Sequence, residues 1–174
     1  VTDTTYDVHV VRTFAATPER VWRAWTEPAD LRAWWGPDGF TCPRAEADAR
    51  VGGRILVTMQ APEEWGGTEY HNSWTITELE PVRRLSYVSN FTDADGHQIA
   101  PEQAGIPAEG VPVGGEHEVV LTDLGNGRTQ LEMTEHGYTT AAARDMSRQG
   151  LEQCLDKMAA LVERRSPTAP AAAT

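Results

Sequence analysis

Leu151-Glu152-Gln153-Cys154-Leu155-Asp156-Lys157-Met158-Ala159-Ala160-Leu161-Val162 places apolar side chains at 151, 154, 155, 158, 161 and 162, the three- and four-residue steps of one helical face. The helical pattern sets in after Gly137 and predicts an amphipathic helix of about six turns. An apolar helix face has to be buried against another layer, and the preceding sequence supplies a sheet for it.

From Phe40 to His136 the chain alternates strand-like runs with turn residues and has no sustained helical stripe. Six strands are expected, at approximately 39–48, 53–60, 69–79, 83–91, 115–123 and 128–136. Gly52-Gly53, Gly66-Gly67, Glu80-Pro81, a long insert and Gly125-Asn126-Gly127 separate them, the spacing of an antiparallel meander. A further strand precedes these, with Tyr6, Val8, Val10 and Phe14 on one side. Thr17-Pro18-Glu19 then combines a capping hydroxyl, a proline at the first helical position and an acid near the positive end of the helix dipole. That short helix should run to about Thr26. A second opens at Pro28 and Asp30, continues through Leu31, Trp34 and Trp35, and is stopped by Gly36-Pro37. The pattern is that of an α+β protein with one domain over 6–165. Residues 1–5 and 166–174 (SPTAPAAAT at 166–174) read as flexible termini, and 92–114, punctuated by Pro101, Gly105, Pro107 and Pro112, as a long loop or lid.

Composition limits the partners. A net charge of −11 works against polyanions, because nucleic-acid affinity comes from Lys and Arg neutralising phosphates, so neither nucleic acid nor an anionic membrane is expected. No apolar run is long enough to cross a bilayer as a helix. The start, Val1-Thr2-Asp3-Thr4-Thr5, has neither the basic residues nor the apolar stretch of a secretory signal, which makes a cytoplasmic location the expectation. Cys42 and Cys154 are too few for a disulfide framework and read as buried free thiols.

The element order resembles that of the SRPBCC or START-like (Bet v 1-like) superfamily, in the branch named after activators of the heat-shock ATPase. The residues that carry the resemblance are Phe14, Thr17-Pro18-Glu19-Arg20-Val21-Trp22, Trp25, Glu27-Pro28, Leu31 and Trp34-Trp35-Gly36-Pro37. Asp48-Ala49-Arg50-Val51-Gly52-Gly53, an acid-x-Arg-x-Gly-Gly turn, and Gly150 with Leu155 complete the set. The resemblance implies a helix-grip fold: a seven-stranded curved antiparallel sheet, two short helices after the first strand, and a long C-terminal helix closing a ligand cavity. Two departures stand out. Leu151 occupies a position where the family often has Trp, leaving more room under the helix, and the 92–114 insert is longer than the usual connection.

Alternation along the strands supplies a candidate lining. His117 shares a face with Val119 and Leu121, and Glu135 with Leu131 and Met133. Tyr70, Asn72 and Trp74 group with Ile76, Tyr87 and Phe91 with Leu85, and Val57 and Met59 with Ile55. With Trp35, Phe40, Leu151 and Leu155 these make an apolar, aromatic wall carrying a few polar points, the make-up of a small-molecule site. Trp22, Trp25, Trp34 and Trp35 lie at helical spacings that suit packing between helices and sheet, with ligand contact as the alternative. His117 and Glu135 are the candidate acid/base pair. An acid facing an apolar cavity is costly unless paired, and a bulge or register shift would turn it outward.

No metal is expected, since His71, His117 and His136 fall on separate strands without HxxxH or HExxH spacing. Asp93-Ala94-Asp95-Gly96 reads as a turn rather than a calcium loop. No GxSxG, P-loop or dinucleotide glycine pattern is present, so no cofactor is expected. The resemblance, taken with this lining, implies three possible functions. The first is capture of a hydrophobic, aromatic or polyketide-like molecule for transport, sequestration or self-resistance in specialised metabolism, by a monomer or weak homodimer. The second is a cyclase or aromatase using the same cavity, and the third a protein-interaction module of the co-chaperone type.

Overall fold

The first helix begins as its sequence requires: the Thr17 side chain accepts a hydrogen bond from the Arg20 amide and Pro18 occupies the first turn. The computed structural model describes residues 4–164. Strand β1 (Tyr6–Phe14) leads into α1 (Pro18–Thr26) and α2 (Pro28–Trp34). Six strands follow, β2 (Thr41–Ala47), β3 (Arg54–Gln60), β4 (Glu69–Glu80), β5 (Arg84–Thr92), β6 (Gly115–Gly125) and β7 (Arg128–Tyr138). The chain ends in α3 (Ala141–Val162), whose 22 residues match the six turns expected. The termini expected to be flexible fall largely in 1–3 and 165–174, outside the described residues.

All pairings in the sheet are antiparallel, in the order β1-β7-β6-β5-β4-β3-β2. The meander runs backwards from β7 to β2, and β1 returns to the open edge of β7. The result is the seven-stranded α+β helix-grip arrangement, with α3 covering the inner face. The 92–114 connection is partly structured, with a tight turn at 93–96, a bridge between Thr92 and Gln98, and a 3-10 turn at Pro101–Ala104. Asp93 organises that first turn by accepting from the Asp95 and His97 amides, each at 2.9 Å.

The core divides along α3. Leu155, Met158 and Val162 join Val10, Phe14, Val21 and Trp25 in a fully packed region. Here the indole of Trp34 donates to the Ala24 carbonyl at 2.7 Å and Thr129 to the Ala16 carbonyl at 2.8 Å, whereas the buried indole N–H groups of Trp25 and Trp35 have no protein partner. Lys157 fastens the loop after α2 to the long helix by donating to the carbonyls of Gly36 (2.7 Å) and Phe40 (3.1 Å). Toward its N-terminus α3 presents small residues, Ala143, Ser147 and Gly150, and a gap opens beneath them.

Candidate functional site: a cavity with a buried carboxylate

The site is built on one cross-strand row. Register places Val8 opposite Glu135, Glu135 opposite His117, His117 opposite Tyr87, and Tyr87 opposite Ile76. Directly opposed residues share a face, so alternation in β6 and β7 carries both His117 and Glu135 inward with Val119 and Met133. Above this row is a cavity of about 280 Å³, near the lower end of the usual range for small-molecule sites, about 300–1,000 Å³. Its sheet wall includes Met59, Asn72, Trp74, Phe91, His117 and Glu135. Trp35 closes one side, Ala143, Ser147, Gly150, Leu151 and Cys154 of α3 form the roof, and Ile106, Pro107, Val111 and Pro112 of the 92–114 connection lie across the remaining side.

Eight of the fifteen residues proposed from sequence line this space: Trp35, Met59, Asn72, Trp74, Phe91, His117, Glu135 and Leu151. Tyr87 lies directly behind the wall, stacked on Trp74 with centroids 4.9 Å apart. Val57, Val119, Met133 and Leu155 share the inward face but are packed in the closed core, where α3 and the sheet leave no gap. Phe40 and Tyr70 instead form a separate aromatic cluster with Trp65, at 6.1 Å from Phe40 to Trp65 and 6.3 Å from Phe40 to Tyr70. Of the helix tryptophans, Trp25 and Trp34 are wholly buried packing residues, Trp22 is packed against the core, and Trp35 reaches the cavity.

Glu135 is only 5% exposed. Its Oε2 accepts from the Tyr138 and Ser147 hydroxyls, each at 2.7 Å, and those two hydroxyl oxygens are 2.7 Å apart. Strict alternation would turn Tyr138 away from Glu135. A bulge intervenes: β1 advances from Tyr6 to Val8 while β7 advances from Tyr138 to Glu135, and the extra residue is accommodated at Gly137, with φ +96°. The shift returns Tyr138 to the inner face. Burial, reinforced by Glu135, pushes the Tyr138 phenol far above its ordinary range, so it remains a donor. Cys154 is likewise pushed up, to about 11, chiefly by burial, and is an inert thiol in the wall.

His117 Nδ1 lies 3.3 Å from the Tyr87 hydroxyl and 3.9 Å from Glu135 Oε1. Burial lowers the imidazole pKa below its ordinary value of 6.5; Glu135 opposes that shift and His136 adds to it. The linkage has a definite sign. Unfolded chains take up a proton near pH 6.5 while the folded imidazole resists it, so His117 costs stability progressively as pH falls from 6.5 toward its lowered folded pKa. Urea titrations between pH 5 and 8 should show His117→Gln losing less stability than the parent on acidification. Equal losses would mean that burial does not hold His117 neutral.

No helix among the described residues is long and apolar enough to cross a membrane. Asp93, Asp95 and His97 form an exposed cluster at the turn they organise, remote in sequence from the cavity wall strands β6 and β7.

A comparison with curated proteins finds no match. Among solved structures, a Chromobacterium violaceum protein is 30% identical with a TM-score of 0.71, over 91% of this chain and 98% of its own. An Arthrobacter aurescens protein is 22% identical with a TM-score of 0.73, over 95% of this chain and 91% of its own. An AHSA1-like protein from Aeromonas hydrophila, 20% identical, has a TM-score of 0.67 over 94% of this chain and 99% of its own. The last two likenesses speak for the fold. The family model described as "Activator of Hsp90 ATPase homolog 1-like protein" matches residues 15–163, which takes in α1, α2, β2–β7 and α3, and the chain belongs to that family.

Proposed function

We propose that this protein binds a hydrophobic, aromatic small molecule in the cavity beneath the N-terminal half of α3, with the 92–114 connection acting as its lid. The observation that carries the reading is the gap itself. A packed core closes such spaces, yet here small side chains at 143, 147 and 150 hold the helix above a floor of Trp74, His117 and Glu135. The lid reading is supported by Ile106, Pro107, Val111 and Pro112 in the wall, and by the Gly110 carbonyl, which accepts from the Thr139 amide at 3.0 Å just before α3. Polyketide-like or other fused-ring compounds suit the wall chemically, and transport, sequestration and self-resistance would all use such binding.

Gly150 offers a direct test. A Cβ placed there meets no atom within 4 Å, so a side chain can start from this position without a clash, and because Gly150 lines the cavity the ring of Gly150→Phe should occupy it. It should weaken binding of ligands selected from an aromatic compound library by about tenfold or more while leaving the melting temperature unchanged or raised, since glycine inside a helix is unfavourable by about 1 kcal/mol. Undiminished binding would place the ligand elsewhere. Product formation from a bound compound, lost in His117→Gln and Glu135→Gln, would convert the reading into the cyclase or aromatase alternative. Stoichiometric recovery of a chaperone, with an unliganded cavity, would favour the interaction module instead.

A further inference from the structure

Glu135 stands out electrostatically. Among the described residues it is the buried acid, and no Lys or Arg side chain pairs with it. The cavity lining contains neither residue type. The nearest titratable base is His117, which burial favours in its neutral form. Two hydroxyls satisfy one carboxylate oxygen, Oε2, while Oε1 has His117 Nδ1 at 3.9 Å, beyond hydrogen-bond reach. No Lys or Arg neutralises this carboxylate, and both neutral donors sit on Oε2, which leaves Oε1 open to a donor from a ligand. Evolution of a purely apolar pocket would not require that group there.

The rest of the wall favours a positive charge. Trp35 and Trp74 meet edge to face at 4.8 Å, Phe91 lies on the neighbouring strand, and aromatic ring faces attract cations. A chain of net charge −11 also draws cations and repels anions. We infer that the natural ligand is an organic cation, an aromatic or otherwise apolar body bearing a protonated amine that donates to Glu135 Oε1. This rests on the cavity reading above and deepens it: the amine would supply the counter-charge that the protein withholds. The same arrangement disfavours carboxylated ligands, whose charge would be placed against Glu135.

Three probes sharing one ring separate the possibilities: tryptamine, 3-ethylindole and indole-3-propionate, titrated calorimetrically into the intact protein at pH 7. Tryptamine should bind at least about tenfold more tightly than 3-ethylindole, and indole-3-propionate more weakly than either. In Glu135→Gln the amine preference should disappear, with tryptamine and 3-ethylindole binding within about twofold of one another. If that variant does not fold, nuclear Overhauser contacts in the parent protein between the aminoethyl protons and the Tyr138 ring decide the placement. Equal affinity for tryptamine and 3-ethylindole overturns the cation inference and leaves the cavity reading standing. Tighter propionate binding overturns it as well. Failure of all three probes to bind at millimolar concentration, with Gly150→Phe indistinguishable from the parent, removes the cavity reading and this inference together.

Discussion

Replacing Trp74 with alanine should lower unfolding free energy by about 3–5 kcal/mol, the largest loss expected from any single truncation in this sheet. Trp74 is only 1% exposed although it borders the cavity, because most of its surface is spent on other rings. It stacks on Tyr87 at 4.9 Å and 22°, meets Trp35 at 4.8 Å and 79°, and approaches Trp25 at 6.0 Å. Tyr87 in turn lies 5.0 Å from the His117 ring, so the aromatic chain runs from the helical corner to the polar floor. Removing its central member leaves a void beside a pre-existing one, where collapse is least able to compensate. Trp74→Phe, which retains a ring, should lose roughly half as much. Chemical denaturation of both variants measures the effect. A Trp74→Ala loss below about 1.5 kcal/mol would show that the aromatic chain is not a structural unit.

The dual standing of Trp74 shows what a sequence can disclose about such a site. Period-2 alternation identifies the inward face, and by itself it puts His117 and Glu135 on that face. Alternation is blind to depth, however. Tyr70, Asn72 and Trp74 alternate on one strand, yet Asn72 and Trp74 reach the cavity while Tyr70 lies beside Phe40 with its ring tilted at 44°. Val119 and Met133 share the inward face with His117 and Glu135 but are packed in the closed core. Where the gap opens is decided by small residues in the first turns of α3, and Ala143, Ser147 and Gly150 leave no mark in an apolar stripe that becomes legible only at Leu151.

Two further site residues were hidden for different reasons. Tyr138 needed the bulge, and its one sequence signal is Gly137 one residue earlier in a strand that otherwise avoids glycine. Ser147 is a polar residue on an otherwise unremarkable helical turn, recognisable only once Glu135 is seen opposite it. The residues of the 92–114 connection that line the cavity have no periodicity to read. The helix-grip architecture itself was legible because each element carries an independent local signal, and those signals agree.

The most specific of those signals is the Asp48–Gly53 turn, and substituting its second glycine should be far more harmful than substituting its first. Gly52 has φ +81° but open space around a would-be Cβ, so Gly52→Ala should cost about 1 kcal/mol of left-handed strain. Gly53 has the opposite problem. A Cβ there would collide with the Asp48 carbonyl oxygen and lie 2.9 Å from that of Arg50, backbone atoms that cannot swing aside. Nor can the turn shift freely, because the Gly53 amide donates to Arg50, its carbonyl accepts from Ile76, and the Gly52 amide donates to the Ile76 carbonyl. Asp48 is held further by its ion pair with Arg50 at 2.8 Å and by its amide, which donates to Arg54. Moving Gly53 therefore pulls on β3 and β4 together, the strands that carry Met59, Asn72 and Trp74 into the cavity. Gly53→Ala should lose about 3 kcal/mol, the upper end of overpacking penalties, and should weaken ligand binding as well, whereas Gly52→Ala should leave binding intact. Equal destabilisation by the two alanines in urea titrations would refute the steric account and reduce the glycine pair to a matter of backbone conformation.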